Sequence, residues 1–512
     1  MSSRPLAALL IALSCAAAAA FVVLGVIQIG APAELDYIEG VMMDHISRLA
    51  HGQPIYVAPS LSFVALAYMP GIAWTSSWIA RICGPAFWEP RLISFLATLA
   101  LAALIGITVR RETGSRTYGI AGAGLYLMGF GVAGGGHYVV SRPDSLMLCL
   151  AFGGLVTLRF TEGKLSAAGA ALLLTLAFFT KQHAMWFGAA AFTHLAFNQR
   201  DRLPAFALAW VLGCGGGFWL LSRALGPWFS YYVWDVPAHW SELSPLRIQR
   251  YLGPGLFGML GPLTVTSLLS LALPVRPWRG PSGIWAWAGL GAIGTGLLAT
   301  LDPSAWHHVF IPSMVALSIL GPISCDRLVQ KLTVVERQYA ERARGVVCLL
   351  LSFQFIPLIY GIHLELPHRG AKPARDAFLN RLHALPGDVI VVDHGFYSAR
   401  AGKSASLQII AMGDLERSHG NRLVKHDPHA LERIFDPLRD GPDRPALITD
   451  DYLAQEGPLW AALEPAYRLS DSLGDRTAPL GGLHGHTGAP RYLYMPAERA
   501  PAAADSARAA SP

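Results

Sequence analysis

The chain has 512 residues, of which 53% are hydrophobic and only 14% are charged, and its formal net charge is +6 at pH 7. Soluble globular proteins carry about 25% charged residues, so this composition excludes a soluble enzyme and indicates a polytopic membrane protein. The basic charge does not indicate a nucleic-acid partner, because Lys and Arg concentrate in short loops between apolar segments. The six cysteines lie in or beside apolar runs without zinc-type spacing, which argues against a disulfide framework.

The first apolar run extends from residue 6 to residue 30 and follows Arg4. Its length of about 25 residues exceeds the roughly 7–15 residues of the apolar region in a secretory signal. We therefore interpret it as an uncleaved first membrane helix. A signal peptide that ends at the Ala31-Pro32-Ala33 triplet is the alternative.

Apolar runs of membrane length recur as far as residue 362. Together with the first they cover 6–30, 91–109, 117–136, 144–160, 165–180, 183–197, 204–222, 251–275, 283–300, 307–325 and 345–362. They predict about eleven spans, each near the ~20 residues that a bilayer requires. Segment 61–83 is also apolar, but Pro70, Arg81 and two tryptophans favour a helix that lies at the interface.

The distribution of basic residues supports this count. With the N-terminus in the cytoplasm, the basic clusters between spans all fall inside, at 110–116, 164, 200–202, 276–279 and 326–344. Counting 61–83 as a further span would place every later cluster outside. The outer face then holds the 31–90 loop, several short turns and everything after residue 363.

The 31–90 loop begins with a group of carboxylates. Asp36 and Glu39 lie three residues apart, on one face of a predicted helix, and no cation is near them in the sequence. A carboxylate near hydrocarbon is costly unless it is paired, so these two require a functional reason. Asp44 and Arg48, four residues apart, are instead explained as a helix ion pair. Asp36 and Glu39 are therefore the candidate catalytic residues, because a carboxylate can accept a proton from a hydroxyl.

Later turns on the same face carry candidate cations. An outer-face arginine runs against the charge rule, so Arg142 is assigned, with His137, to a phosphate-binding end of the site. Lys181 stands beside Gln182 in a tight hairpin between two spans. A snorkelling lysine is the structural alternative to a phosphate contact there. Asp144, at the start of a span, is alternatively a stabiliser of that helix N-terminus.

Two adjacent histidines follow Asp302 at another outer turn. Adjacent side chains point to opposite sides of most backbones, so at most one of the two belongs to a site, and we assign His307 rather than His308. The outer loop 223–250 is rich in aromatic residues, which is typical of an interfacial belt. A surface that docks a sugar or a lipid is the alternative.

After residue 363 the composition changes. The segments GDVIVVD (387–393) and ALITDD (446–451) read as buried strands, with helical patterns between them. This predicts a small extracytoplasmic α/β domain over residues 363–498. The last residues, 499–512, are of low complexity and predict a disordered tail.

The order of these motifs resembles the polytopic glycosyltransferases of the GT-C superfamily, most closely the bacterial branch related to protein mannosyltransferases and lipid A aminoarabinose transferases. The resemblance covers roughly residues 6–330. The motifs that carry it are DYIEG (36–40), GQPIY (52–56), YMPGIAW (68–74), RLIS (91–94), RPD (142–144) and TK (180–181).

The resemblance implies a GT-C-like catalytic domain over residues 1–362 and a sugar donor carried on polyprenyl phosphate. It implies that Asp36 or Glu39 is the general base, and that a divalent metal, if one takes part, binds to these two. The donor phosphate is expected at Arg142, Lys181, His137 and His307. Contacts to the substrate are expected from Tyr37, Tyr56, Tyr68, Asp144 and Gln182.

The implied function is transfer of a hexosyl or pentosyl group to a glycan, lipid or protein acceptor at the outer face of a bacterial cytoplasmic membrane. A transporter or flippase of lipid-linked glycans is the alternative. Transporters more often show internal repeats and charges in broken helices at the membrane midplane. The sequence shows no repeat, and its charges cluster at one face.

The span count predicts that everything after residue 363 is extracytoplasmic. A periplasm-dependent reporter fused after residue 370 should be active, and the same reporter fused after residue 114, in a predicted cytoplasmic loop, should be inactive. Activity in the opposite pair of fusions would overturn the predicted topology.

Overall fold

The computed structural model describes residues 3–240, 242–272, 278–303, 305–335, 337–441, 443–484 and 488–497. Within them, six helical stretches are long and apolar enough to cross a membrane: Arg4–Ile29, Trp88–Thr113, Gly163–Thr180, Leu203–Ala224, Pro281–Ala299 and His307–Leu332. The protein is therefore a multi-pass membrane protein. The predicted disordered tail, 499–512, lies outside the described residues.

Every predicted span coincides with at least one helix. These helices are Ser3–Ile29, Trp88–Thr113, Arg116–Met128, Asp144–Phe160, Gly163–Thr180, Met185–Asn198, Leu203–Val211, Gly217–Ala224, Gly261–Ala272, Ile284–Ala299, Ile311–Val335 and Arg337–Phe353. Two spans contain π-helical stretches, Leu212–Gly216 and Tyr251–Met259, and the second includes Pro254, which cannot donate a backbone hydrogen bond. Several helices are shorter than ~20 residues, so the total of about eleven spans stays a prediction.

The predicted boundary of the third span is wrong. Its helix ends at Met128, and the glycine-rich segment 129–136 continues as a series of turns. Glycine weakens a helix because its backbone loses the most conformational freedom on ordering. Gly135 and Gly136 have φ values of +55° and +78°, in the region that favours glycine.

Two helices lie in the first outer loop, Ile38–Ala50 and Gly71–Cys83. The first buries most of its N-terminal half. The second exposes Trp78 and Ile82, as a helix at the surface of a bilayer does. The interfacial helix predicted within 61–83 therefore occupies the second half of that segment.

The predicted ion pair between Asp44 and Arg48 is wrong. Arg48 donates from Nε to the carbonyl of Pro54 at 2.9 Å and lies over the ring of Phe63. Asp44 instead accepts a 2.7 Å hydrogen bond from the side-chain amide of Gln408, which comes from the C-terminal part of the chain. Burial raises the pKa of Asp44 to about 7, although the bond from Gln408 lowers it. The C-terminal part of the chain therefore contacts this helix at Asp44.

A four-stranded sheet follows the membrane helices. Its strands are β1 (Val389–Val391), β2 (Ala446–Thr449), β3 (Tyr467–Ser472) and β4 (Tyr492–Pro496), in the order β1-β2-β4-β3. β1 and β2 are parallel, and the other two pairings are antiparallel. Both predicted strands are therefore confirmed, while the domain limits 363–498 stay a prediction. The accompanying helices are Ala371–Ala384, Phe396–Arg400, Ile409–Arg417, Arg422–His426, Asp436–Asp440 and Pro458–Ala461.

A buried histidine joins the sheet to the first outer loop. His394, just after β1, hydrogen-bonds through Nδ1 to Glu34 and through Nε2 to Asp450 at 3.1 Å. All three side chains are at least 95% buried. Burial lowers the pKa of His394, but Asp450 and Glu34 raise it well above its ordinary value, so the imidazolium is bound between two carboxylates. We call Glu34, His394 and Asp450 the histidine clamp.

Replacing the clamp histidine should destabilise the protein. His394→Leu leaves two buried carboxylates without their partner, which typically costs about 3–5 kcal/mol. Because the folded-state pKa of His394 is raised above 6.5, its contribution is complete below pH 6.5 and is lost as pH rises through the folded pKa. Thermal unfolding of the purified protein in detergent, measured at several pH values, tests both effects.

The matched control is His429→Leu, because the His429 side chain is 71% exposed. It should leave the unfolding temperature unchanged. Equal stability of the two variants at pH 6 would contradict the clamp.

Candidate functional site

A cavity of about 270 Å³ opens among the ends of several helices and the loops that join them. Polar and aromatic side chains from six separate segments line it. They are Tyr37 and Tyr68 from the first outer loop, Arg142, Lys181, Gln182 and His183 from two turns, Trp234 and Trp240 from the aromatic loop, Asp302 and His308 from the turn after it, and Asp414 from the C-terminal part.

One cation of the cavity is Arg142, which is 2% exposed. Its guanidinium donates from Nε to Asp36 Oδ2 and from Nη2 to Asp36 Oδ1 at 3.1 Å. Burial lowers the pKa of Arg142, but Asp36 and the neighbouring tyrosines raise it well above its ordinary value, so the group is charged. A guanidinium has five N–H donors, so two bonds to Asp36 leave donors for an anion in the cavity.

The second cation is Lys181, which lies in the hairpin between the helices Gly163–Thr180 and Met185–Asn198. Its ammonium donates to Asp144 Oδ1 at 2.7 Å, and both side chains are buried. Asp144 is also the first residue of its helix. It can therefore stabilise the helix N-terminus and hold the Lys181 ammonium at the same time. An ammonium has three donors, so Lys181 can bind an anion without leaving Asp144.

Glu39, like Asp36, lies outside the cavity lining, and its carboxylate is fully engaged. Its carboxylate accepts from Arg91 Nε at 2.9 Å and Nη2 at 2.5 Å, from the Leu35 backbone N–H at 2.7 Å, and from the N–H and hydroxyl of Ser141 at 2.9 and 3.0 Å. Glu39 and Arg91 are both wholly buried. Five donors on one carboxylate make Glu39 a group that positions the chain around the site.

The inference that no cation explains Asp36 and Glu39 is therefore wrong. Their partners, Arg142 and Arg91, are 106 and 52 residues away in the sequence, so a search for nearby charges could not find them. The two carboxylates also face separate arginines. Among the described residues, no group of three or more His, Cys, Asp or Glu side chains could hold a metal ion. The donor set around Asp36 and Glu39 thus does not fit a shared metal, and we derive no step from one.

The structure places the second of the two adjacent histidines, rather than the first, at the cavity. His307 is exposed, and its Nδ1 bonds to the carbonyl of Val132 at 3.0 Å, whereas His308 lines the cavity. His137 lies behind the cavity wall, with Nε2 3.9 Å from Asp36. Burial lowers the pKa of His137 well below its ordinary value, and Arg142 lowers it further, so this imidazole is neutral.

Some of the residues expected to contact the substrate line the cavity, and others do not. Tyr37, Tyr68 and Gln182 line the cavity. Tyr56 does not; its hydroxyl donates to the carbonyl of Tyr68 at 2.7 Å, and its ring packs against Phe229. Tyr56 therefore supports the segment that carries Tyr68.

Two parts of the site were missed in the sequence. Arg91 was assigned only to the entry of a span, and Asp414 lies in a stretch without a motif. A third residue, His484, forms a backbone bridge with Asp36, and its ring occupies the space where a side chain at Gly136 would begin. The contact between His484 and Asp36 joins segments hundreds of residues apart, and that of Arg91 with Glu39 spans 52 residues, so no local pattern signals either.

Comparison with known proteins gives matches in structure alone. No family model and no curated protein matches the sequence. The apo structure of ArnT from Cupriavidus metallidurans, an aminoarabinose transferase, shares the fold with a TM-score of 0.58 and 13% identity, over 94% of this chain and 97% of that chain. The same protein bound to undecaprenyl phosphate gives a TM-score of 0.56 and 12% identity over the same shares. The GT-C-like fold expected from the resemblance is confirmed.

A weaker likeness is to the archaeal oligosaccharyltransferase AglB from Archaeoglobus fulgidus in complex with an inhibitory peptide and a dolichol-phosphate. It has a TM-score of 0.48 and 11% identity, over 87% of this chain and 70% of that chain. This score is too low to carry a structural argument.

The pair Glu39 and Arg91 should behave as one unit in folding. Glu39→Gln and Arg91→Met each leave a buried group without its partner, so each should lower the free energy of unfolding by about 3–5 kcal/mol. The double variant should lose clearly less than the sum of the two, because it leaves no unpaired charge. Unfolding of the four proteins in detergent measures this coupling.

The control pair is Glu341 and Arg344, whose side chains are 53% and 51% exposed. The same substitutions there should change stability by less than about 1 kcal/mol. Additive losses at Glu39 and Arg91 would show that the two groups act separately.

Proposed function

We propose that this protein is an integral membrane glycosyltransferase. It moves a sugar from a polyprenyl-phosphate donor to an acceptor at the extracytoplasmic face of a bacterial cytoplasmic membrane. The observation that carries the proposal is the convergence of two buried cations, Arg142 and Lys181, in one cavity among the membrane helices. The fold shared with ArnT supports it, because one ArnT structure is bound to undecaprenyl phosphate.

Each cation is paired with a carboxylate, so the cavity is close to neutral until an anion enters. Charge-assisted hydrogen bonds to a phosphate are worth about 1.5–3 kcal/mol each. The donors that Arg142 and Lys181 do not use on Asp36 and Asp144 can make such bonds. The site can therefore hold a phosphate without breaking the pairs that fix the two cations.

Transfer needs a group that takes the proton of the acceptor hydroxyl. In the proposed reaction the acceptor oxygen forms a bond to the anomeric carbon, the bond from that carbon to the phosphate oxygen breaks, and the phosphate stays on its carrier at Arg142 and Lys181. Asp36 receives the proton. It is preferred to Glu39 as the base because it contacts Arg142 at the cavity, whereas all of the acceptor capacity of Glu39 is used by fixed donors.

Two readouts on the full-length protein in nanodiscs test this function. Lys181→Met, combined with Asp144→Asn so that no buried charge is left unpaired, should weaken binding of undecaprenyl phosphate by about 10- to 100-fold. Asp36→Asn should keep that binding but reduce transfer from the native lipid-linked sugar by about 10²–10⁴-fold, the usual contribution of a general base.

The control is Lys372→Met, an exposed lysine of the helix Ala371–Ala384, which should change neither readout. Parent-like binding by the Lys181 variant would remove the phosphate site. Movement of the lipid-linked sugar across the bilayer without any transfer would instead favour the transporter alternative.

A further inference from the structure

One wall of the cavity comes from the C-terminal part of the chain. Asp414, on the helix Ile409–Arg417, faces the cavity beside Trp234 and Trp240 of the aromatic loop. Its side chain is 13% exposed and accepts a 2.5 Å hydrogen bond from Arg417. We call Asp414 and these two tryptophans the acidic wall.

The acidic wall is firmly attached to the bundle. The hydroxyl of Ser418 donates to the carbonyl of Val236 at 2.9 Å, and the backbone N–H of Arg422 donates to Asp235 at 2.8 Å. These bonds run from the end of the Asp414 helix to the aromatic loop. The wall is therefore a fixed part of the cavity, and Asp414 has a defined position in it.

The acidic wall and the two cations line the same cavity. Arg142 and Asp414 both affect the pKa of the Tyr37 phenol. Burial raises this pKa, Arg142 lowers it, and Asp36 and Asp414 raise it. Because both groups act on Tyr37 and line the same cavity, one bound molecule can contact Arg142 and the acidic wall together.

Three polar atoms beside the cavity are buried without a hydrogen-bond partner among the described residues. They are Gln182 Oε1, His183 Nδ1 and His308 Nδ1, and all three residues line the cavity. Leaving such an atom unpaired costs about 1–3 kcal/mol. An amide oxygen can only accept, whereas an imidazole nitrogen accepts or donates according to its tautomer. A hydroxyl group can satisfy either kind of atom.

We propose that the acidic wall binds a neutral sugar ring, with Asp414 and Gln182 bonded to its hydroxyls and an indole covering its apolar face. This inference rests on the proposed function, because that function places the phosphate at Arg142 and Lys181 in the same cavity. The ring belongs either to the sugar on the donor or to a saccharide acceptor.

The surrounding charges favour a neutral ligand over a cationic one. Arg417 already bonds to Asp414, so this carboxyl does not need a cationic ligand as its partner. Burial raises the pKa of Asp414 to about 7, although Arg417 lowers it. Near neutral pH this carboxyl is thus present in protonated and ionised forms, and can donate to a hydroxyl or accept from it.

Tryptophan fluorescence of the full-length protein in nanodiscs tests the proposal, because Trp234 and Trp240 lie in the wall. Methyl glycosides of common sugars are titrated as neutral probes, glucosamine as a cationic probe, and undecaprenyl phosphate separately. At least one methyl glycoside should bind saturably, and Asp414→Asn should weaken it by about tenfold. The Asp414 variant should bind undecaprenyl phosphate like the parent.

The control is Asp475→Asn, an exposed aspartate away from the cavity, which should bind both probes like the parent. Equal glycoside binding by the Asp414 variant and the parent, or no saturable binding to the parent, would overturn the proposal. Binding of glucosamine alone would overturn it in favour of a cation site. Failure of the parent protein to bind undecaprenyl phosphate would instead refute the proposed function. The glycoside titration would still test the acidic wall on its own.

A transfer assay with labelled native donor identifies the source of the ring. A methyl glycoside that becomes labelled occupies the place of the acceptor. One that inhibits transfer without becoming labelled occupies the place of the donor sugar. Either result supports a sugar ring at the acidic wall.

Discussion

The outer site depends on the burial of one carboxylate, that of Glu39, against Arg91. Removing such a pair from water costs several kcal/mol per ion, and only a full set of hydrogen bonds offsets that cost. Here the set is supplied by the first outer loop, the helix Trp88–Thr113 and the turn at Ser141. Ser141 precedes Arg142 directly. The requirement to satisfy Glu39 therefore also sets where Arg142 meets Asp36.

Much of the architecture could be predicted from the sequence because hydrophobicity is a local signal. Each apolar run became helix, and the segments around Val389 and Ala446 became neighbouring parallel strands. The prediction failed at segment 129–136, where glycine ends the helix before the apolar run is complete. Local composition identifies an element, but the chain's conformational freedom decides where it ends.

The candidate site was predictable in residue type but not in pairing. Arg142, Lys181, Tyr37, Tyr68 and Gln182 were selected for their chemistry on the outer face, and the structure brings them to one cavity. Their partners could not be selected, because an ion pair depends on three-dimensional proximity between distant segments. The C-terminal contribution was missed for the same reason. Nothing in the sequence around Asp414 distinguishes it from a solvated helix residue.

The contact between His484 and Asp36 has a consequence for how the protein is made. The first outer loop leaves the ribosome about 450 residues before the segment that bridges to it. At roughly 5–20 residues per second, synthesis separates them by about 20–90 s. During that interval Glu34 also lacks His394, since the clamp comes from the same late part of the chain. The membrane helices can thus insert while the loop is still open, and the finished enclosure around Asp36 arises only after nearly the whole chain has been synthesised.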